Sequence, residues 1–397
     1  MGMQAFRVGD VREGAEVMRA VTSLVDLDDA GAIVAADREG ALRSAALAGA
    51  QVRAVATAVD ESVLARLADL RPRSVVIVTG DGRSSRAASL LVAALGNHLG
   101  VPLVRSTGTP PWIGPLDVVV VAGDDAGDPR LAESVDAAAR RGAEVVVVAP
   151  EEGPLRAVRG ARVMWLPPRI AVRDHNALMR YLAAFVAVLG AVAGGSWKAL
   201  LPNLSRLADL LDAEAVRNSP SNEVFHNPAK ALASGFSGKR VVLSGAGPAA
   251  VEVARHGSEV LLRVAGLIVA AGELGDVIAA SIRASMIESS GPVSTFDSIF
   301  HDEELDGPAP EQPMRIFVLA SESDRALTER RIAGVPNSEL VLTESGEAAS
   351  GGEFVSSGFE ARAASPDPVT LSMLDTMSVL ATRLDTTAAY LSLMGGS

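Results

Sequence analysis

Ser74-Val-Val-Ile-Val-Thr-Gly-Asp-Gly-Arg-Ser-Ser-Arg-Ala-Ala-Ser-Leu-Leu91 is an apolar β run that breaks at two glycines and restarts in a helical pattern. A helix start presents unpaired N–H groups and the positive end of its dipole, so the turn after such a strand is a ready place for an anion. Gly80 and Gly82 let the backbone turn tightly there and come close to a ligand. An ordinary βα turn of an α/β domain has the same pattern, so the surrounding chain has to decide between the two.

Downstream, the pattern predicts a helix from Ser85 to Gly96, strands near Pro102 to Arg105 and from Asp117 to Val121, and a helix from Pro129 to Arg141. Strands Glu144 to Ala149 and Arg162 to Leu166 follow. Continuous Val/Ile strands between amphipathic helices indicate a parallel sheet covered on both faces, hence a doubly wound α/β domain. Upstream, Ala41 to Arg53 has helical spacing, and a second helix is expected from about Glu61 to Leu70, ending at Arg71-Pro72. Further on, helices from about Asn176 to Gly194 and Leu204 to Val216 lead into the polar stretch Arg217-Asn-Ser-Pro-Ser-Asn-Glu-Val-Phe-His-Asn-Pro228, which reads as a linker.

The plan then restarts. Gly238-Lys-Arg-Val-Val-Leu-Ser-Gly-Ala-Gly-Pro-Ala-Ala250 repeats strand, Gly-x-Gly, helix. A long helical tract to about Glu288, strands Arg315 to Ala320 and Glu339 to Glu344, and a closing helix from about Val369 to Met394 complete a second unit. The expected organisation is a helical leader at 1–57, a first domain at 58–216, a linker at 217–237 and a second domain at 238–397, a duplicated α/β unit.

Composition bounds the function. With 397 residues and no cysteine, the chain is long enough for two domains and has no disulfide or thiolate chemistry, so a reducing, cytoplasmic setting is expected. A formal charge of −12 without a basic run argues against a nucleic-acid surface. No secretory leader pattern opens the sequence, and the apolar helix near 176–195 is interrupted by Arg180 and small residues, so no membrane association is expected.

No Gly-Lys-Ser/Thr follows either glycine loop, and Gly245-Ala-Gly-Pro-Ala-Ala250 lacks an acid about twenty residues later to hold a ribose, so no nucleotide cofactor is expected. The histidines, His98, His175, His226, His256 and His301, form no metal pair at helical spacing. The acidic loop Asp124, Asp125 and Asp128 follows a strand beside the first glycine loop. It could bind a cation, or cap the helix starting at Pro129.

The duplicated unit, Gly80-Asp-Gly-Arg-Ser84, Leu166-Pro-Pro-Arg169, Asn227-Pro-Ala-Lys230 and Gly245-Ala-Gly-Pro248 together resemble the bacterial and archaeal phosphoglucose/phosphomannose isomerases. Those proteins are built from two sugar-isomerase (SIS) domains of flavodoxin-like type in tandem, and the sequence is most similar to their divergent actinobacterial TobH-type members. The resemblance implies a homodimer that binds a sugar phosphate and interconverts aldose and ketose through a cis-enediol. Such a reaction needs a base near the carbon acid and positive charge near the enediolate.

By this resemblance Arg169 is the family's arginine and Ser84 its loop serine, so Gly80, Gly82, Arg83, Ser84, Ser85, Gly245 and Gly247 are the ligand-binding candidates. The family's phosphate-cradling hydroxyls fall on Gly123 to Asp128, where carboxylates would repel a phosphate. Aligning Gly272-Glu-Leu274 with the family pattern puts the base glutamate at Arg263 and the ring-opening histidine at Ala279, neither of which can serve. Glu273 or Glu288, with His301, are the substitutes an active isomerase would need. The substitutions favour a sugar-phosphate-binding protein with lost or impaired isomerisation, in a ligand-sensing or accessory role; the alternative is an active isomerase of fructose 6-phosphate with glucose or mannose 6-phosphate.

Overall fold

The computed structural model describes residues 25–68, 70–158, 160, 162–192, 196–290, 314–343 and 371–395. Two parallel sheets organise them. In the first, β1 (Ser74–Thr79), β2 (Leu103–Ser106), β3 (Asp117–Ala122), β4 (Glu144–Val148) and β5 (Val163–Trp165) lie in the order β2-β1-β3-β4-β5. In the second, β6 (Arg240–Gly245), β7 (Ala270–Glu273), β8 (Met314–Leu319) and β9 (Ser338–Val341) lie in the order β7-β6-β8-β9. The first four strands of one half therefore repeat the order of the other, as the duplicated sequence pattern predicts.

Central strands β1, β3 and β4 are buried at every position, which is why their sequences are unbroken Val/Ile runs rather than alternating ones. Their alternate residues enter two cores. Val75, Ile77, Val118 and Val120 face α4 (Arg83–Leu95) and α7 (Leu178–Val192), while Val76, Val78, Val119 and Val121 face α5 (Pro129–Arg140) and α6 (Gly153–Ala157). The first of these cores is shared across the whole molecule. It takes in Ile33 of α1 (Ala30–Ala36), Leu42 of α2 (Ala41–Ala46) and Val52 of α3 (Ala48–Asp60). It also holds one face of the second sheet under α9 (Pro228–Phe236) and α10 (Pro248–Ala265). The opposite face of the second sheet is covered by α11 (Leu274–Ser290) and α12 (Arg325–Ile332).

Three expected elements differ. The helix expected from Glu61 to Leu70 is only a short turn at Ala65–Leu67, because α3 runs on to Asp60 and Ser62 then takes a left-handed φ of 64°. The upstream helix over 41–53 is instead two helices with a break at Leu47. The long tract to Glu288 is two helices around a strand, since Gly266, at φ 67°, caps α10 and the chain turns into β7 before α11 begins. The stretch expected as a linker includes α9, whose Lys230 and Phe236 are fully buried.

At the centre lies α13 (Met373–Leu393), buried continuously from Leu374 to Leu391 and packed against α10, α9, α2 and α8 (Leu204–Arg217). It carries many polar residues for so buried a helix. Thr382, Thr386 and Thr387 satisfy their hydroxyls on carbonyls four residues back. Arg383 donates to Glu214 of α8 at 2.7 and 3.3 Å and to the Leu342 carbonyl at 2.8 Å. Among the described residues no helix is long and apolar enough to cross a membrane.

Because Glu214 is fully buried, truncating its partner leaves a charge with incomplete compensation. Arg383→Met is expected to cost about 3 kcal/mol in urea unfolding, at the low end for a broken buried pair because Asn218 still donates to Glu214 at 2.8 Å and Arg217 stays 3.5 Å from it. The Glu214→Gln/Arg383→Met double variant should recover part of that loss. A single-variant loss below ~1 kcal/mol would place this pair with surface ion pairs instead.

Candidate functional site

β1 ends at Thr79, and the chain turns through Gly80, Asp81 and Gly82 into α4. Gly82 has φ 87° and ψ −142°, a conformation that only glycine adopts readily, and it precedes the first helical residue. Gly80 lies against the next loop, a Cβ there falling 3.7 Å from the Asp128 carboxylate. The two loops, at the carboxyl ends of adjacent parallel strands, open into a cleft of 420 Å³, the position where open α/β sheets bind ligands. The second half reaches over this cleft through Arg263, in the last turn of α10.

The cleft's three arginines are each bound to a carboxylate of the chain. Arg83 is turned inward and buried, donating to Glu259 at 2.6 Å and to His256 Nδ1 at 3.0 Å. Arg130 lies along Asp128, which caps α5 by accepting from the Arg130 N–H at 2.9 Å, and the guanidinium holds that carboxyl below its ordinary range. Arg263 pairs with Asp174. Asp128 thus has a capping role, and Asp125 accepts from the Gly127 N–H at 2.7 Å. Asp124 pairs with Arg180 and accepts from the Tyr181 hydroxyl at 2.6 Å, while burial raises the Tyr181 pKa.

The other expected site residues lie elsewhere. Ser84 is fully buried and Ser85 accepts from Arg105 at 2.8 Å; neither lines the cleft. Arg169 sits across the carboxyl ends of β4 and β5, bound to Glu61 at 2.9 Å, in a small cavity with Gln51 and Arg180. The Arg180–Asp124 pair is the wall between that cavity and the cleft. Gly245 serves packing, since a Cβ there would fall 2.1 Å from the Val251 nitrogen in the first turn of α10. Gly247 caps the same helix in open space. Glu273 is exposed at the end of β7, Glu288 lies on α11, and Ala279 is exposed on the same helix. His301 is outside the described residues.

What joins the halves is a chain of polar groups whose connection the sequence pattern did not reveal, although Arg83 was a ligand-binding candidate. A guanidinium can only donate, so His256 Nδ1 accepts from Arg83, and its Nε2–H donates to Asp385 of α13 at 2.8 Å. Arg86 donates to Glu252 at 2.6 Å and also pairs with Glu259. Glu252, His256, Glu259 and Arg263 recur at spacings of four, three and four, so they occupy one face of α10. That spacing was the available signal.

His175, buried beside Asp174 at the cleft's edge, has its pKa pushed below the ordinary 6.5, chiefly by burial. The folded chain therefore resists protonation there more than the unfolded chain does. Its contribution to stability is complete above about pH 6.5 and is lost as pH falls below that value. His175→Gln should flatten the decline of Tm between pH 7 and pH 5, and an unaltered decline would mean that other groups cause it.

The fold has counterparts among solved structures. The tagatose-6-phosphate ketose/aldose isomerase of Escherichia coli superposes with a TM-score of 0.52 at 14% identity, covering 94% of this chain and 96% of that one. The C-terminal domain of glucosamine-fructose-6-phosphate aminotransferase from Francisella tularensis superposes with a TM-score of 0.50 at 8% identity, covering 92% and 97%. At these identities the likeness is one of fold, the tandem SIS architecture of two doubly wound parallel-sheet units. No protein-family model and no curated protein matches the sequence.

Proposed function

We propose that this chain is a sugar-phosphate-binding tandem SIS protein in which isomerisation has lapsed, a divergent TobH-type relative of the phosphoglucose/phosphomannose isomerases. It would act as a cytoplasmic homodimer with a sensing or accessory role in hexose-phosphate metabolism. The observation that carries this reading is Arg263. The resemblance requires a base glutamate at this position, and here a guanidinium reaches the cleft. A permanently protonated group cannot take a proton from C1 or C2 of a sugar.

The same arginine supports binding. Its pair with Asp174 is half exposed, with side-chain exposures of 56% and 52%, and such pairs contribute about 0–1 kcal/mol. A ligand phosphate can therefore replace Asp174 at little cost and gain a charge-assisted, bidentate contact. Arg83 has no such freedom, being buried between His256 and Glu259.

The test is incubation with fructose 6-phosphate in deuterated water. We expect binding without deuterium at C2 of any aldose product, and binding weakened about tenfold by Arg263→Ala, or ~1.4 kcal/mol. Exchange at an enzymatic rate would establish the alternative, a working isomerase. Absence of binding would remove the sugar-phosphate reading altogether.

A further inference from the structure

A second cavity lies away from the cleft, between the α1–α2 turn and the loop at 218–222 that follows α8. It encloses 760 Å³, a volume in the range of small-molecule sites. We propose that this groove binds a compact phosphate ester carrying an apolar or ring-shaped group, at a site separate from the sugar-phosphate cleft.

The loop forming one wall is anchored from behind, carbonyl by carbonyl. The Asn218 carbonyl accepts from the Tyr390 hydroxyl at 2.7 Å, and the Ser219 carbonyl from Asn227 Nδ2 at 3.0 Å. Those of Pro220 and Asn222 accept from Lys230 Nζ at 2.8 and 2.6 Å. All three donor side chains are fully buried, so these acceptors are drawn toward the interior. Burying an ammonium is costly, and the pKa of Lys230 is pushed down by that burial; the loop is therefore held in shape at a price in stability. With its carbonyls committed, the loop lines the groove with the side chains of Ser219 and Ser221, whose hydroxyls lie 2.9 Å apart.

Arg38 and Arg43 line the same groove, and neither forms an ion pair among the described residues. The groove's carboxylate, that of Asp37, is committed to the Ala41 and Leu42 N–H groups at 2.6 and 3.1 Å, capping α2. This is the reverse of the cleft, where each arginine has a carboxylate of its own. Two guanidinium forks and two hydroxyls suit the oxygens of a phosphate, and Arg engages such groups bidentately. Leu42, Ala46 and Val216, the last 72% exposed, add an apolar wall that inorganic phosphate alone would leave uncovered. That wall favours an ester with a ring over the free ion.

The experiment is calorimetric titration of the full chain with adenosine 5′-monophosphate and, separately, with inorganic phosphate. The monophosphate should bind more tightly than the inorganic ion. Arg38→Ala/Arg43→Ala should weaken it about tenfold or more, with Tm unchanged because both side chains are exposed. Arg38→Lys/Arg43→Lys should retain part of the affinity, as charge without the fork. Arg263→Ala should leave monophosphate binding intact while weakening fructose 6-phosphate, which separates this site from the cleft. No binding of the monophosphate, affinity that survives the double alanine variant, or loss in Arg263→Ala instead would each overturn the proposal.

Discussion

Arg383 and Asp385 stand two residues apart on a helix with almost no solvent-exposed surface, and that constraint shapes the molecule. Each charge would cost several kcal/mol in such surroundings without a partner. Arg383 finds Glu214 on α8 and the Leu342 carbonyl just beyond β9; Asp385 finds His256 on α10, which in turn accepts from Arg83 at the start of α4. A purely apolar helix could slide or rotate in its channel with modest loss. This one can meet its partners in one register, so α8, α10 and α4 are fixed relative to one another.

The cleft inherits its character from that arrangement. Docking α10 on α4 through Glu252, His256 and Glu259 carries Arg263, on the same helix face, over the glycine loop of the first half. It also takes Arg83 out of the cleft's usable charge. A loop that would be an anion cradle on backbone geometry alone thus has its nearest arginine committed to holding the halves together. The Arg263–Asp174 pair, in contrast, is half exposed.

The sequence made the strands of both sheets legible wherever they were buried on both faces, since unbroken Val/Ile runs have few other uses. β7 escaped because Ala270-Ala-Gly-Glu273 is a short edge strand of weak β formers, adjoining helices on both sides. The glycine turn at Gly80 and Gly82 was likewise readable from pattern. Placement was not. Arg169 and Gly80 follow similar strand ends, yet the Asp124–Arg180 pair divides them into separate cavities, a fact of tertiary packing. The charged stripe on α10 could be seen in the sequence, but a stripe of that kind ordinarily faces water. Only the position of α4 shows that it is an internal seam.

The separation of Glu214 from Arg383 by 169 positions has a bearing on how the chain is made. During synthesis, the first sheet and its helices emerge well before the helix that neutralises Glu214 and closes the shared core. Until then Glu214 has only Asn218 and Arg217 of its own segment as partners, and the shared core that α13 completes stays open. Long-range contacts of this kind slow folding and prolong the exposure of sticky intermediates.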